Sequence, residues 1–509
     1  MVIKLKKIIR NDLFICLVIL IIATLPRIIV LDKIPNGLHG DEGWTGIDAL
    51  RILDQGFIEP YTLSALGQPT GPMYLTAWIF RILGVSIFSL RFSMAIFAIL
   101  TIPSFYIFLR LFFSKKVSFL GTMVFSFSLF HLHYSRIAFM LNSVPLFQLW
   151  TLIFFIKGIQ EKKLVYYALS GIFCGVGMYS YNVYIIFPVI IFLYLFYELF
   201  QTKFKKQNFI NLGVLTFCFL VISFPLLNYI LLKPELYFSH HRTYSYNKMH
   251  LEDLNTTHND TIRIFFRNGL RNTTIFFTGN VLDYGDGYGS YYSINYAFLI
   301  LFFVGVFFHK KKRDKWHIFF LLSMLFSILV PSFLTRDGIY RRKILSLIYI
   351  FYFVSNAIDL VSRNKRLKLS QTLFPVVILS IASIQNLFIY FLDFPKQEST
   401  QFVFTYELTE LTKLINKTNA TQGTLAFFSD RWSCEYETVR FLLPNIQCED
   451  YSDRFGTLEI KDTYLEDTTI VLHGKYLNYQ SNFDSLDLDK DKYEVVDPVN
   501  KRVLMQIYK

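Results

Sequence analysis

The stretch 35–44 (PNGLHGDEGW) contains the residues best suited to chemistry, the adjacent carboxylates Asp41 and Glu42. The glycines on either side allow the backbone to turn sharply and to approach a ligand closely. A carboxylate next to apolar walls is suited to take a proton from a hydroxyl group as a general base. The same residues also fit the start of a helix, where an acidic side chain caps the first N–H groups. A catalytic pair and a helix start are therefore both open interpretations.

Basic side chains in two later segments indicate a phosphate site. Arg136 ends an HLHYSR sequence, and Arg341, Arg342 and Lys343 end a TRDGIYRRK sequence. The arginine fork matches phosphate oxygens in geometry and charge. The alternatives are contact with anionic lipid headgroups and snorkelling of the side chains to the membrane surface.

Three further side chains, His39, Tyr134 and Tyr181, are predicted to line a substrate groove. Tyrosines at helix ends suit a groove for a sugar or an isoprenoid chain, and they equally suit an interfacial aromatic belt. The two histidines of the HLHYSR sequence have no nearby third ligand, so no metal site is predicted. Proton transfer by a carboxylate and phosphate binding by arginines are predicted to require no cofactor. A divalent metal is compatible with such a site but is not indicated.

Long apolar runs must position these residues. Hydrophobic residues make up 53% of the 509 residues and charged residues only 17%. This composition excludes a soluble globular enzyme, a disordered chain and a disulfide scaffold. Runs of about 20 apolar residues match the thickness of a bilayer. They predict a polytopic α-helical membrane protein with about 11 transmembrane helices, at about 12–31, 87–111, 117–133, 138–156, 164–181, 183–200, 209–231, 291–308, 316–334, 344–362 and 370–392.

Basic loops set the predicted orientation of this membrane part, residues 1–392. With a cytoplasmic N-terminus, every predicted inside loop is basic, as the positive-inside rule requires. Two long loops, about 32–85 and 232–290, then lie outside. The segment 71–84 is short for a span and is predicted to be an interfacial helix. Residues 1–392 carry a net charge of +20 against −7 for 393–509, so the basic excess is an orientation signal and not a nucleic-acid patch.

Residues 393–509 are predicted to form a separate, small α/β domain outside the cytoplasm. Cys434 and Cys448 either form a disulfide there or are two free buried thiols, and both alternatives are open. Periodicity and turn residues predict helices within 402–415 and 434–443, strands at 425–428 and 470–472, and a hairpin at 493–508.

The ordered series of motifs resembles the GT-C superfamily of membrane glycosyltransferases, in particular the protein O-mannosyltransferases and the aminoarabinose transferase of lipid A. The motifs are GDE after the first helix, GQPTGPMY, which is similar to the family's HPPLY stretch, LGVS with LRF, YSR, and the arginine-rich segment before the tenth helix. Gln68 and Thr70 depart from the usual His and Pro, and Ile185 stands where an Arg is expected.

The resemblance implies a hexosyl- or pentosyltransferase that moves a sugar, with inversion, from a polyprenyl-phosphate donor to an acceptor hydroxyl on the outer face of the cell membrane. Asp41 corresponds to the acidic residue implicated in activating the acceptor, and Glu42 to its partner. Arg136 and the Arg341–Lys343 cluster correspond to groups that hold the lipid phosphate. The implied partners are this donor, membrane lipids, and an acceptor lipid, protein or cell-wall glycan, but no nucleic acid. The alternative function is a transporter or flippase of a lipid-linked sugar.

Overall fold

A helical membrane part is followed by a small domain that contains a sheet. The computed structural model describes residues 2–244, 258–278, 292, 294–308, 314–335, 340–363, 369–418, 423–452, 468–481 and 491–509. Part of the predicted loop 232–290, and positions 336–339 of the basic segment, lie outside the described residues.

A helix is present at each of the eleven positions predicted for a span. The helices before the sheet domain are α1 (Val2–Ile28), α2 (Gly40–Gln55), α3 (Gly71–Leu83), α4 (Ile87–Leu109), α5 (Lys115–Ser126), α6 (Leu129–Tyr134), α7 (Val144–Glu161), α8 (Leu164–Gly177), α9 (Ile186–Gln201), α10 (Lys206–Leu232), α11 (Pro234–Tyr237), α12 (Ser239–Tyr244), α13 (His258–Thr278), α14 (Tyr296–Phe307), α15 (Asp314–Leu334), α16 (Leu347–Ser362) and α17 (Leu369–Phe388). Single 3₁₀ segments, Met140–Ser143, Asn182–Ile185 and Tyr340–Ser346, lead into α7, α9 and α16.

Seven helical segments among the described residues are long and apolar enough to cross a membrane. They are Ile87–Leu109, Met140–Glu161, Asn182–Gln201, Lys206–Leu232, Lys315–Leu334, Tyr340–Ser362 and Val376–Lys396. The polytopic helical fold class is therefore confirmed, whereas the number of spans stays a prediction.

The predicted span 117–133 differs from the structure, because it is divided into α5 and α6. The break releases backbone carbonyls, and side chains from other helices take them up. The guanidinium of Arg27 donates to the Ser126 carbonyl at 2.8 Å, and the Asn386 amide donates to the Phe127 carbonyl at 2.8 Å. These donors satisfy the groups that a helix end leaves without an intrahelical partner.

The core of the membrane part is built around α16. All residues from Leu347 to Asp359 are buried, including the aromatic rings of Tyr349, Phe351 and Phe353. A helix that is apolar on every face must be surrounded by other helices. The helix therefore fixes the 3₁₀ segment that precedes it, which carries Arg341 and Arg342.

The first long loop is ordered and packs on the ends of the membrane helices. It contains α2, a two-stranded antiparallel sheet of β1 (Tyr61–Thr62) and β2 (Gln68–Pro69), and α3. The amide of Asn182 donates to the Gly67 carbonyl at 2.8 Å, which ties this loop to the start of α9. The helix predicted at 71–84 is present as α3, and its position at the membrane interface stays a prediction.

The C-terminal part has the small α/β fold that its sequence predicts. Its strands are β3 (Thr424–Phe428), β4 (Gln447–Asp450), β5 (Thr468–His473), β6 (Lys492–Val496) and β7 (Val503–Tyr508), and its helices are α18 (Glu398–Val403), α19 (Tyr406–Lys417) and α20 (Glu437–Leu442). The sheet order is β4-β3-β5-β7-β6, with β3 parallel to both neighbours and β6–β7 an antiparallel hairpin. Cys434 and Cys448 are joined by a disulfide, which decides between the two alternatives.

Candidate active site

The carboxylate pair lies in the first turn of α2, and the N-cap of this helix is His39. The ring Nδ1 of His39 accepts a hydrogen bond from the Asp41 N–H at 2.9 Å, and Glu42 Oε2 accepts one from the His39 N–H at 3.1 Å. This reciprocal capping box satisfies donors that the helix start would leave unpaired. The partial positive charge of a helix N-terminus stabilises nearby carboxylates. His39 thus positions the pair and is not among the residues that line the cavity described below.

Glu42 is fully buried and forms an ion pair with Arg91 of α4. The Nε and Nη2 atoms of Arg91 donate to its two carboxylate oxygens at 2.8 and 2.9 Å, and the backbone N–H of Ala138 donates at 2.8 Å. Arg91 also donates to the carbonyls of Leu31, Pro35 and Gly37, so it holds the chain between α1 and α2. The Glu42 carboxylate is engaged by Arg91 and does not line the cavity, so the catalytic role predicted for Glu42 has no support in this geometry and stays a prediction.

Asp41 faces a cavity and is paired with Arg341. Arg341 Nη1 lies 2.7 Å from Asp41 Oδ2, and the two side chains are 13% and 31% exposed. The guanidinium also lies over the ring of Phe139, 5.1 Å from its centroid. The cavity measures about 380 Å³ and is lined by Asp41, Trp44, Thr45, Leu63, Ala65, Leu66, Gly67, Gln68, Phe139, Met140, Leu141, Tyr181, Arg341 and Glu437.

A second, smaller pocket of about 120 Å³ adjoins this cavity through a shared residue. Tyr181 lines both, and Arg342 lines the smaller pocket together with the 3₁₀ segment before α9, the first residue of α9 and the last turn of α15. The cation of Arg341 therefore lines the Asp41 cavity, and the cation of Arg342 lines the smaller pocket next to it. Lys343 is almost fully buried and its Nζ lies 5.9 Å from the ring centroid of Phe276, and it lines neither pocket.

Arg136 and Tyr134 are placed away from the cavity. Arg136 donates to the carbonyls of Pro26, Val30 and Ile34, at 2.7, 3.1 and 3.0 Å, and so caps the C-terminal end of α1. A cation at this end also interacts favourably with the helix dipole. The predicted phosphate contact of Arg136 therefore has no support in the geometry. Tyr134 is buried against Phe130, with ring centroids 4.7 Å apart, and does not line the groove.

Sequence reasoning missed Glu437, which comes from the C-terminal part and lines the Asp41 cavity. It begins α20, which packs against a face of α2 where Gly40, Gly43 and Gly46 recur every third residue. A Cβ added at Gly43 would lie 2.8 Å from the Cβ of Glu437, and one at Gly46 would lie 2.4 Å from the ring of Phe441. The three glycines are the signal that could have predicted a closely packed partner on this face.

Tyr436 also lies close to the carboxylates of Asp41 and Glu437. Its hydroxyl is 3.4 Å from where a Cβ at Gly40 would lie. Burial raises the pKa of Tyr436 to about 12, and the negative charges of Glu437 and Asp41 contribute to this shift. The phenol therefore stays protonated at neutral pH, and the C-terminal part contributes to the electrostatics of the cavity.

Comparison with known proteins identifies the fold. Residues 67–227 match the family of dolichyl-phosphate-mannose-protein mannosyltransferases. The structure is similar to apo ArnT from Cupriavidus metallidurans, with a TM-score of 0.57, 11% identity and coverage of 98% of each chain. This chain has the fold of the GT-C membrane glycosyltransferases. The resemblance read from the sequence is thereby confirmed.

Two further GT-C structures are similar to this one. ArnT from C. metallidurans bound to undecaprenyl phosphate gives a TM-score of 0.57 at 11% identity, covering 96% of this chain and 97% of that chain. The oligosaccharyltransferase AglB from Archaeoglobus fulgidus, in complex with an inhibitory peptide and a dolichol-phosphate, gives 0.50 at 13% identity, covering 86% of this chain and 64% of AglB. No curated protein matches the chain in sequence.

The seven apolar helical segments, together with the GT-C fold, support a multi-pass membrane protein, and the site roles assigned from the sequence stay predictions. Within the described ranges, no three His, Cys, Asp or Glu side chains are grouped so as to hold a metal ion. The prediction that no cofactor is required is likewise untested.

Proposed function

We propose that the chain is a glycosyltransferase that moves a sugar from a polyprenyl-phosphate donor to an acceptor hydroxyl in the Asp41 cavity. The pairing of Asp41 with Arg341 inside this cavity carries the proposal. The carboxylate can accept a proton, and the guanidinium can bind a phosphate. Arg342 adds a second cation in the adjoining pocket. The ArnT complex with undecaprenyl phosphate supports the class of donor, since that protein has the same fold.

In the proposed reaction, Asp41 takes the proton of the acceptor hydroxyl, and the hydroxyl oxygen attacks the anomeric carbon of the donor sugar. The bond between that carbon and the phosphate oxygen breaks, and polyprenyl phosphate leaves with the electron pair. Attack from the face opposite the phosphate inverts the configuration. Arg341 and Arg342 stabilise the charge that develops on the leaving phosphate, as fixed cations do best where water is excluded. The phosphate is already part of the donor, so the scheme requires no cofactor.

We further propose that the cavity and residues 393–509 are extracytoplasmic and that the N-terminus is cytoplasmic. The basic loops support this orientation. The Cys434–Cys448 disulfide also supports it, because such bonds persist in oxidising compartments. A Lys475→Cys variant carries its thiol at an exposed position of the C-terminal part. An impermeant maleimide should label it in intact cells, and labelling only after lysis would contradict the orientation.

The function is tested with the purified full chain, reconstituted with a panel of polyprenyl-phosphate sugars and a crude envelope extract as acceptor. Release of polyprenyl phosphate is compared between the wild type, Asp41→Asn and Asp54→Asn. The last variant is the matched control, because Asp54 lies on the same helix, is exposed and does not line the cavity. Loss of a general base should lower turnover by about 10²–10⁴-fold.

Release that depends on the extract, disappears in Asp41→Asn and persists in Asp54→Asn would support the proposal and identify the donor sugar. Near-normal turnover by Asp41→Asn would refute the assignment of Asp41. Movement of an intact donor between leaflets, without release, would favour the transporter or flippase alternative.

A further inference from the structure

The indole of Trp44 and the carboxylate of Glu437 face the same cavity as Asp41. Trp44 follows Asp41 by one turn of α2, and both side chains are half-buried. The guanidinium of Arg440 lies over the indole, 5.5 Å from the ring centroid, and so helps to hold it in place. The aromatic surface of the cavity is therefore preorganised by a residue of the C-terminal part.

The Glu437 carboxylate differs from the other two carboxylates of this region. Asp41 is paired with Arg341, and Glu42 is paired with Arg91. Within the described part of the chain, no hydrogen bond or ion pair to Glu437 is found. A lone carboxylate is an acceptor of hydrogen bonds only, and it repels a phosphate group. Its chemistry fits the hydroxyl groups of an acceptor better than the phosphate of the donor.

An aromatic face next to a carboxylate is a combination that recognises a sugar ring. The C–H face of a pyranose or furanose packs on the apolar surface of an indole, while its hydroxyls donate to carboxylate oxygens. The cavity volume of about 380 Å³ lies at the lower end of the range for small-molecule sites, about 300–1,000 Å³. Such a space admits sugar-sized groups.

We propose that Trp44 and Glu437 form an acceptor subsite for a sugar ring, and that the acceptor is a glycan or a glycolipid. This inference rests on the proposed function and names the substrate class of the same site. It also gives the C-terminal part a task, because that part supplies the carboxylate that binds the acceptor and the arginine that orients the indole. Asp41, one helical turn away, then receives the proton of the hydroxyl that reacts.

The test compares the wild type with Glu437→Gln, which removes the charge and keeps the shape of the side chain. Glu449→Gln is the matched control, because Glu449 lies on β4 of the same C-terminal part, is exposed and does not line the cavity. The envelope extract is divided into a portion treated with protease and a portion treated with periodate, which cleaves the vicinal diols of sugars. A further division of the protease-treated portion by organic extraction separates glycolipids from polymeric glycans.

The protease-treated portion should still support release of polyprenyl phosphate, and the periodate-treated portion should not. Glu437→Gln should raise the KM for the protease-treated acceptor by about tenfold or more, since a hydrogen bond to a charged group is lost. Its kcat should stay within about twofold of the wild type and its KM for the donor should be unchanged. Glu449→Gln should match the wild type.

Loss of acceptor activity after protease but not after periodate would overturn the inference and identify a protein acceptor. An unchanged acceptor KM in Glu437→Gln would overturn the subsite while leaving the proposed function intact. Binding of the protease-treated portion to immobilised wild-type and variant protein is measured in parallel. Binding that is lost in Glu437→Gln, without release from any donor, would support the subsite and count against the proposed function.

Discussion

Because Glu42 forms a buried ion pair with Arg91, we expect that Glu42→Gln lowers the stability of the fold more than it lowers turnover. The substitution keeps the shape of the side chain but places an amide NH₂ group among donors. The carboxylate accepts from Arg91 Nε and Nη2 at 2.8 and 2.9 Å and from the Ala138 N–H at 2.8 Å. Each oxygen of this carboxylate accepts two hydrogen bonds, counting the His39 N–H, so the amide NH₂ group of Gln faces two donors in either orientation. The charge of Arg91 also stays buried without its counter-ion. Breaking a buried ion pair in this way costs about 3–5 kcal/mol.

The expected change in melting temperature follows from the length of the chain. An unfolding entropy of about 2.1 cal/mol/K per residue amounts to about 1 kcal/mol/K for 509 residues. Glu42→Gln should therefore lower the midpoint of thermal unfolding by about 3–5 °C, measured by scanning fluorimetry of the purified full chain. Asp41→Asn should stay within about 1 °C of the wild type, because its pair with Arg341 is partly exposed.

Arg91→Met should lower the midpoint at least as far as Glu42→Gln, since it leaves the Glu42 carboxylate buried without its counter-ion and also removes the donors to the carbonyls of Leu31, Pro35 and Gly37. A Glu42→Gln protein with the wild-type midpoint and a loss of turnover as large as that of Asp41→Asn would refute the reasoning. That result would return Glu42 to the catalytic role suggested by the sequence.

Three further predictions concern other parts of the chain. Arg136→Gln removes donors to carbonyls at the end of α1, so it should lower the melting temperature and leave the KM for the donor unchanged. A raised KM for the donor at normal stability would instead identify Arg136 as a phosphate ligand. Cys448→Ser should destabilise the C-terminal part by about 3 kcal/mol, since the bond to Cys434 spans 14 residues. Hydrogen exchange should therefore become faster in β4 and α20. The Cys218→Ser control, which removes a free thiol, should leave the exchange in these two elements unchanged. Burial lowers the pKa of His473 to about 4, below its ordinary value of about 6.5, so the unfolded state binds the proton first. Protection of β3 and β5 should therefore fall as the pH drops from about 6.5 to about 4, and His473→Gln should reduce this dependence; equal pH profiles of the two proteins would contradict it.

The membrane helices could be predicted from the sequence because a bilayer leaves the chain few options. Backbone groups in lipid must be satisfied within the segment, so a long apolar run becomes a helix. The division of 117–133 into α5 and α6 could not be predicted, because the donors that take up the freed carbonyls, Arg27 and Asn386, come from distant helices.

The candidate site shows the same limit at the level of side chains. Asp41 and the basic segment near position 341 could be recognised in the sequence. The sequence could not show which arginine pairs with which carboxylate. Arg91 was recognised only as part of the LRF motif, and its ion pair with Glu42 was not predicted, although an arginine within an apolar helix indicates a buried partner. Glu437 was beyond reach, because it meets the cavity only through the packing of α20 on the glycine face of α2. Local sequence patterns predicted the helices and strands, whereas the roles of the site residues depend on contacts between residues hundreds of positions apart.

The packing of α20 on the three glycines of α2 also has a consequence for the order of biosynthesis. Asp41 and its cavity wall emerge from the ribosome early, whereas Glu437 and the helix that carries it are made long afterwards. The cavity therefore lacks one of its walls until the C-terminal part has been translated and α20 has packed on α2. A nascent chain halted before that point would hold Asp41 in a cavity without the wall that Glu437 supplies, so the complete cavity would form only at this last step of assembly.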